Sequence, residues 1–251
     1  METMRILQIN VWGGRIKDGL VRFITEGNFD VVCMQEAIWD SKNSGVLDLL
    51  VDSIDKIKAS AGFDYDIRSS HYGMKLLGGD TQYELGNAIL SKTPFTESKE
   101  KIILGEYSVA NSAEEAKTIL GNHRYTAQKV ILENGVVIIN YHGYYITDPL
   151  GNETSVECMK SVADLIRDEE RPVVMCGDLN VVSEAPCMRE LDFLTDLTAI
   201  NDVKTTLRNI RFVKDVACDH ILVNDKVSYQ NFKVFNAPYT DHRALYVEID
   251  A

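Results

Sequence analysis

Short apolar runs alternate with amphipathic stretches along nearly the whole chain. Runs rich in Val, Ile and Leu that are bounded by Gly, Pro, Asn or Asp predict about ten strands. These predicted strands lie near residues 5–11, 29–36, 65–70, 86–92, 124–132, 136–141, 171–178, 220–223, 229–235 and 244–249. Apolar residues at helical spacing predict helices near 16–24, 46–57 and 156–166, with short helical material over 185–196.

The order of these elements predicts an α/β fold with more strands than a simple doubly wound sheet needs. Glu133-Asn134-Gly135 separates two strands, and Asn-Gly at such a point indicates a hairpin and therefore antiparallel pairing. Two mixed β-sheets packed face to face, with helices on the outside, fit this count. No Pro-, Ser- or Gly-rich linker interrupts the 251 residues, so we expect residues 1–251 to form a single domain.

Composition and net charge bear on where the protein is found and on which partners it binds. The amino terminus has no basic region followed by a long apolar stretch, and no run approaches the ~18 apolar residues that a membrane helix needs. The five cysteines are scattered and form no Cys-x-x-Cys pair, which favours a reduced, cytoplasmic location. The net charge of −12 disfavours a high-affinity nucleic-acid binder, although local basic patches matter more than totals.

Oxygen-bearing side chains stand at the ends of several predicted strands. Asp178 and Asn180 follow the apolar run at 173–176, and alternation lets both side chains point the same way. A carboxylate beside a carboxamide could orient a water and bind an oxygen of the group that the water attacks, whereas the plainer interpretation is an Asx turn. Glu36 and Asn10 end two other predicted strands. Mg²⁺ prefers such oxygen ligands, but each residue alone is more often an ordinary loop or turn residue.

Histidines next to carboxylates form the second group of candidates. Asp241 precedes His242, and Asp219 lies in another strand-end motif; a buried carboxylate would fix the tautomer of an imidazole and raise its basicity. His142 ends the strand at 136–141 and is a third candidate. His220 is as readily explained as a core histidine with satisfied hydrogen bonds. His71 and His123 have no comparable context and are expected on the surface.

The ordered set of these motifs resembles the endonuclease/exonuclease/phosphatase superfamily, which includes pancreatic deoxyribonuclease, neutral sphingomyelinases and inositol polyphosphate 5-phosphatases. The resemblance runs from residue 5 to the carboxyl terminus. The motifs that carry it are Gln8-Ile-Asn10, Gln35-Glu36, Gly86-Asn87, His142, Gly177-Asp-Leu-Asn180, Cys218-Asp219-His220 and Thr240-Asp241-His242.

The resemblance implies a four-layer α/β/β/α sandwich that hydrolyses a phosphate ester by in-line attack of an activated water, with Mg²⁺ or Mn²⁺ bound. The implied metal ligands are Glu36, Asn10 and Asp241. Asp178 would orient or deprotonate the water, and Asn180 would bind the phosphoryl oxygen. His242, held by Asp219, would stabilise the charge of the transition state, and His142 would assist.

Three functions remain open at this stage. Some nuclease members carry an acidic residue two positions after the first-strand Asn, where this chain has Trp12, so a small or lipid-like phosphate ester is the favoured substrate. A DNA or RNA endo- or exonuclease is the alternative and needs a basic strip beside the site. A binding scaffold without catalysis is the third possibility. The candidate residues for the strip are Lys75, Lys92, Arg124, Arg189, Arg208, Arg211 and Arg243.

Overall fold

Two mixed sheets, each covered on its outer face by helical segments, make up the fold. The computed structural model describes residues 3–40, 47–75, 82–119, 122–208, 216–236 and 238–250. The strands in these ranges are β1 Thr3–Asn10, β2 Val31–Asp40, β3 Tyr65–Lys75, β4 Gln82–Ser91, β5 Phe95–Leu104, β6 Val109–Ala110, β7 Tyr125–Leu132, β8 Val137–Tyr141, β9 Val173–Asp178, β10 Thr195–Asp196, β11 Asp219–Val223, β12 Tyr229–Phe235 and β13 Ala244–Asp250. The α-helices are α1 Gly19–Gly27, α2 Ile54–Ala61, α3 Ala113–Ile119, α4 Glu153–Ala163 and α5 Leu197–Ile200.

The strand order places the first and last long strands side by side. The seven-stranded sheet runs β12-β13-β1-β2-β4-β3-β6, and the six-stranded sheet runs β10-β11-β9-β8-β7-β5. β1 pairs in parallel with β2 and antiparallel with β13, and β8 pairs in parallel with β9. The ends of β1, β2, β8 and β9 that carry the predicted site residues therefore lie at the same end of the sandwich.

Alternation along each strand divides the apolar residues between three cores. Leu7, Ile9 and Val32 face outward and pack with Leu20 of α1 and Ile57 of α2. On the opposite side, outward-facing residues of β8 and β9 pack against α4. The inward-facing residues of both sheets form the third core. This is the expected four-layer α/β/β/α sandwich of two mixed sheets.

The space between the sheets changes from apolar to polar along the strands. On β1 the inward positions are Met4, Ile6, Gln8 and Asn10 in turn, and all four side chains are buried. Two adjacent strands of the six-stranded sheet repeat this order: β9 passes from Val174 and Cys176 to Asp178, and β11 passes from Val223 and Ile221 to Asp219. One end of the sandwich is therefore an ordinary apolar core, and the other end carries the polar candidates.

A layer of buried carboxamides separates these two ends. Asn140 on β8 accepts a hydrogen bond from Gln35 Nε2 at 2.7 Å, and its own Nδ2 lies 3.0 Å from Gln128 Oε1. The same Nδ2 lies 2.9 Å and 3.0 Å from the main-chain oxygens of Met34 and Ala88 in the other sheet. Unpaired polar groups are costly inside a protein, so this layer ties the two sheets together at one fixed register.

Several predicted elements differ from the structure. The predicted helix over 46–57 is divided, because Ser53 accepts a hydrogen bond from Lys56 N and caps α2 at that point. The structure also contains β5, β6 and α3, which the sequence pattern did not indicate. β5 is an edge strand in which residues 96–100 are all exposed, so it has no apolar alternation to detect. The predicted hairpin at Asn134-Gly135 between β7 and β8 is confirmed.

None of the helices in the described residues is both long enough and apolar enough to cross a membrane.

We expect Asn140→Leu to destabilise the fold although it adds apolar volume to a buried position. Gln35 and Gln128 would each lose a partner, which predicts a decrease in the free energy of unfolding of about 2–4 kcal/mol. Urea denaturation measures this change. Ile138→Leu, on the same face of β8, is the matched control and should cost less than about 1.5 kcal/mol. An Asn140→Leu protein as stable as its parent would contradict the importance of the carboxamide layer.

Candidate active site

The carboxylate of Asp178, at the end of β9, is the centre of the polar end of the sandwich. Its Oδ2 accepts a hydrogen bond from Asn10 Nδ2 at 2.9 Å and lies 3.7 Å from Nε2 of both His142 and His242. Burial alone would raise the pKa of Asp178, but His242, His142 and the hydrogen bonds from Asn10 and Asn180 hold it below its usual value. Asp178 is therefore an ionised carboxylate between two imidazoles.

The turn after β9 is an Asx turn, and it also leaves Asp178 and Asn180 available as a carboxylate–carboxamide pair. Asn180 N donates to Asp178 Oδ1 at 3.1 Å, which is an Asx turn, while the other carboxylate oxygen faces the histidines. Asn180 adopts a left-handed conformation with φ 57°, and its Nδ2 donates to Gly143 O at 3.0 Å. This bond fixes the carboxamide beside the carboxylate, and its second N–H can still donate.

His242 and Asp219 form a buried pair on neighbouring segments. His242 Nδ1 donates to Asp219 Oδ2 at 2.8 Å, and Gln8 Nε2 donates to Asp219 Oδ1 at 2.9 Å. Burial alone would lower the pKa of His242, but the charges of Asp219 and Asp178 outweigh it and raise the pKa to about 10. The ring is therefore an imidazolium at neutral pH, with Nε2 directed toward Asp178.

Glu36 lies within β2 and not at the end of a strand as the sequence predicted. Met34 pairs with Ala88 and Ala37 pairs with Gly86, so Gln35 and Glu36 together oppose one residue of β4. This is a β-bulge, and Glu36 adopts φ 51° in it. The bulge turns the partly exposed carboxylate toward Asn10, whose Nδ2 lies 3.2 Å from Glu36 Oε1.

Asp241 reaches the same end of the sandwich from the segment before β13. The preceding Thr240 donates from Oγ1 to the main-chain oxygen of Asn10 at 2.7 Å, which anchors this segment to the end of β1. Asp241 is 3% exposed and contributes to the raised pKa of His242. The structure thus brings all eight predicted site residues to one end of the two sheets.

The structure also places the three remaining histidines. Two of them differ from the sequence prediction, and the third follows one of its two interpretations. His71 and His123 were predicted on the surface, and both are buried, at 1% and 8% exposure. The ring of His71 packs against His142 and against His123, with centroid separations of 5.9 Å and 5.7 Å. His220 is a core residue that donates to Asp196 Oδ2 and Val181 O. Sequence reasoning missed His71 because its bulge has no signature in the residue pattern.

Comparison with known proteins agrees with this geometry. The profile of the Endonuclease/Exonuclease/phosphatase family matches residues 7–242. The chain belongs to this family. No curated protein sequence matches the chain.

Solved structures of other members share the fold at low sequence identity. A family protein from Leptotrichia buccalis C-1013-b is 18% identical with a TM-score of 0.68, covering 99% of this chain and 100% of that one. A member from Bacteroides vulgatus is 16% identical with a TM-score of 0.71, covering 100% and 99%. A mannosyl-6-phosphatase from Bacteroides thetaiotaomicron VPI-5482 is 13% identical with a TM-score of 0.64, covering 99% and 100%.

Members of the Endonuclease/Exonuclease/phosphatase family generally use a divalent metal, and the polar end of this member contains residues that can ligate one. Potential ligand atoms of Asp178, Cys218, Asp219 and His242 lie within 4.8 Å of one another. Glu36, Asn10 and Asp241, the predicted ligands, are not part of that group and offer oxygen donors. The side chains of Asn10 and Glu36 are in contact, but through Asn10 Nδ2, whereas Asn10 Oδ1 accepts from Trp12 N at 3.0 Å. Ligation by Asn10 would therefore need its oxygen turned toward Glu36. An all-oxygen donor set suits Mg²⁺ or Mn²⁺.

We predict that His242 of this family member stays protonated well above neutral pH. The pKa of about 10 in the folded state lies above the value of about 6.5 expected when unfolded. The contribution of this pair to the free energy of unfolding is therefore complete below about pH 6.5 and is lost as the pH rises through 10. An NMR titration of the ring nitrogens measures the pKa directly.

Asp219→Asn should move the His242 titration toward the ordinary range, because the nearest negative charge is removed. Asp225→Asn, at an exposed position beyond the other end of β11 from Asp219, is the matched control and should leave it unchanged. A midpoint near 6.5 in the unsubstituted protein would contradict the assignment of His242 as an imidazolium.

Proposed function

We propose that this protein is a divalent-metal-dependent phosphoesterase that attacks a phosphate ester in line with an activated water. The observation that carries the proposal is the position of Asp178 Oδ2, 3.7 Å from the Nε2 atoms of His142 and His242. A carboxylate is thereby fixed between two imidazoles, at least one of them cationic, at the end of the sandwich where Glu36 is partly exposed.

The chemistry of phosphate esters explains why such a set is useful. The anionic oxygens of the ester repel a nucleophile, so a catalyst must place a water in line with the leaving group and neutralise the charge that develops. Asp178 is ionised and can accept the proton of that water or hold its direction. The imidazolium of His242 donates from Nε2 to a phosphoryl oxygen, while Asp219 keeps the ring charged throughout.

Asn180 and His142 complete the binding of the phosphoryl group in this proposal. The carboxamide of Asn180 is held by Gly143 and donates its remaining N–H to a non-bridging oxygen. His142 presents Nε2 to the same space as His242. Glu36, Asn10 and Asp241 would hold Mg²⁺ or Mn²⁺, which when bound would polarise the phosphoryl oxygen and offset its charge.

The distribution of basic side chains supports a small or lipid-like ester as the substrate. Arg208 and Arg243 lie beside the segment of Thr240, but Lys92 is at the opposite end of the sheet, where its main chain pairs with Asp30. Arg189 lies in the outer helical layer, in the 3₁₀ helix beside α4. Arg211 is outside the described residues. Arg124 donates to the main-chain oxygen of Ser70 beside His71, and Lys75 ends β3. Because Lys92 and Arg189 lie away from this end, the candidates within the described residues do not all join in one strip for a nucleic-acid backbone.

We expect Asp178→Asn and His242→Gln each to decrease kcat by about three orders of magnitude, because each removes a group that acts in the transition state. The assay measures hydrolysis of p-nitrophenyl phosphate and bis-p-nitrophenyl phosphate with Mg²⁺ or Mn²⁺, with chelator as the blank. Asp225→Asn is the matched control and should keep the parental rate.

The two esters and a plasmid-nicking assay separate the possible activities. Preference for one ester distinguishes a phosphatase from a diesterase, and rapid metal-dependent nicking at low salt would favour the nuclease. A folded protein that is inactive in all three assays would support the binding scaffold. Activity that persists in Asp178→Asn would overturn the mechanism.

Glu36→Gln should weaken metal binding by about tenfold or more, because one of the few carboxylate ligands loses its charge. Mn²⁺ binding measured by electron paramagnetic resonance gives this value without reference to activity. Glu26→Gln, an exposed glutamate paired with Arg22 on α1, is the control and should bind Mn²⁺ as the parent does. Equal Mn²⁺ affinity in the parent and in Glu36→Gln would remove Glu36 from the ligand set.

A further inference from the structure

A second β-bulge, next to the one that holds Glu36, places His71 against the candidate active site. On β3, Ser70 pairs with Gly86 and Tyr72 pairs with Leu85, so His71 is an extra residue that β4 does not match. A bulge of this kind re-aims a side chain, and such bulges are common beside active sites. The β2 bulge lies opposite Asn87, and the β3 bulge lies between the partners Gly86 and Leu85, so the two bulges flank successive residues of β4.

Gly86 is what allows the main chain of the bulge to pass. A Cβ atom at residue 86 would lie 2.0 Å from the main-chain oxygen of Ser69 and 2.9 Å from the nitrogen of His71. Any larger residue would therefore push β3 away from β4 at this point. The close approach brings the imidazole of His71 inward, where it is 1% exposed.

Two buried nitrogen atoms in this region have no hydrogen-bond partner among the described residues. They are Nε2 of His71 and Nδ1 of His142, and they belong to rings whose centroids are 5.9 Å apart with a tilt of 33°. The two nitrogens make no direct hydrogen bond, but at this ring separation one bridging water can reach both. A neutral imidazole has one donor and one acceptor, so such a water can satisfy both rings.

The surroundings of His71 keep it uncharged. Burial and the positive charges that His142, His123 and Arg124 can carry all lower its pKa well below the ordinary value. A neutral His71 can accept from or donate to His142 without adding charge beside Asp178. His71 differs in this respect from Asp219, which gives His242 an anionic partner.

We propose that His71 is a positioning residue for His142: it fixes the ring and the tautomer of His142 by packing against it and by linking its Nε2 to Nδ1 of His142 through one bridging water. His142 then presents Nε2 to the space beside Asp178 in one defined tautomer. The effect on rate rests on the proposed phosphoesterase function, whereas the effect on the tautomer does not.

Two substitutions separate packing from pairing. His71→Phe keeps a flat ring against His142 but removes the nitrogen, and His71→Gln restores a polar group near the position of Nε2. We expect His71→Phe to decrease kcat by about 10- to 100-fold with little change in KM, the usual loss when a group that orients a catalytic side chain is removed. His71→Gln should recover most of that loss.

The tautomer of His142, read from the ring nitrogen chemical shifts, is the second measurement. We expect a single tautomer in the parent and in His71→Gln, and a mixture in His71→Phe. The matched control is His123→Phe, since the His123 ring also packs on His71, and on Tyr125 with a centroid separation of 4.3 Å. It should leave both the tautomer and kcat close to those of the parent.

The possible outcomes are distinct. An unchanged His142 tautomer in folded His71→Phe protein overturns the inference, whatever the activity is. If the parent hydrolyses no phosphate ester but His71→Phe alters the tautomer, the positioning role holds and the proposed function fails. If His123→Phe has the same effect as His71→Phe, the whole aromatic stack and not the His71 nitrogen is responsible, which also overturns the inference.

Discussion

The structure depends on burying carboxamides between two sheets and pairing most of their polar atoms; among the described residues, Gln8 Oε1 and Asn87 Oδ1 are buried without a partner. An amide in an apolar space loses its hydrogen bonds to water, so each of Gln35, Gln128 and Asn140 must find its partners within the layer. Because those partners come from both sheets, the layer allows only one register between the sheets. Gln8 extends the same layer to Asp219, and Asp219 in turn holds His242. The position of a candidate catalytic ring is thus set by packing far inside the sandwich.

The two imidazoles beside Asp178 are supported in different ways. His242 has an anionic partner and carries a lasting positive charge, whereas His142 packs against a neutral ring. Two cations held permanently at 3.7 Å from one carboxylate would reduce its ability to accept a proton. Support of two different kinds gives the site one ring with a fixed charge and one ring oriented by packing. Pairs of titratable groups in contrasting environments are a common arrangement in enzymes that use acid and base chemistry.

The fold and most of the candidate site could be predicted from sequence because both depend on alternation. Inward positions that change from Ile6 to Gln8 and Asn10 along one strand are visible in the residues themselves, and so is the change from Cys176 to Asp178. The hairpin at Asn134-Gly135 was equally readable. The bulges were not, because an extra residue in a strand changes the partner and not the composition.

Because the bulges are not visible in the sequence, the prediction put Glu36 at the end of its strand and His71 on the surface. The sequence pattern did not predict the edge strand β5 for a related reason: its residues are exposed on both faces and resemble those of a loop.

The bulge at Glu36 has a consequence for how the chain tolerates changes in length. A strand that lacked this one residue could pair continuously with β4, and no hydrogen-bonded ladder would be lost. The side chains from Ala37 to Asp40 would keep their present partners and faces, because Gln35 would oppose Asn87 and Ala37 would still oppose Gly86. The extra residue is what lets Met34 and Ala37, three positions apart, pack into the same core. A deletion of Glu36 would therefore remove the carboxylate from the site without shifting the rest of the strand.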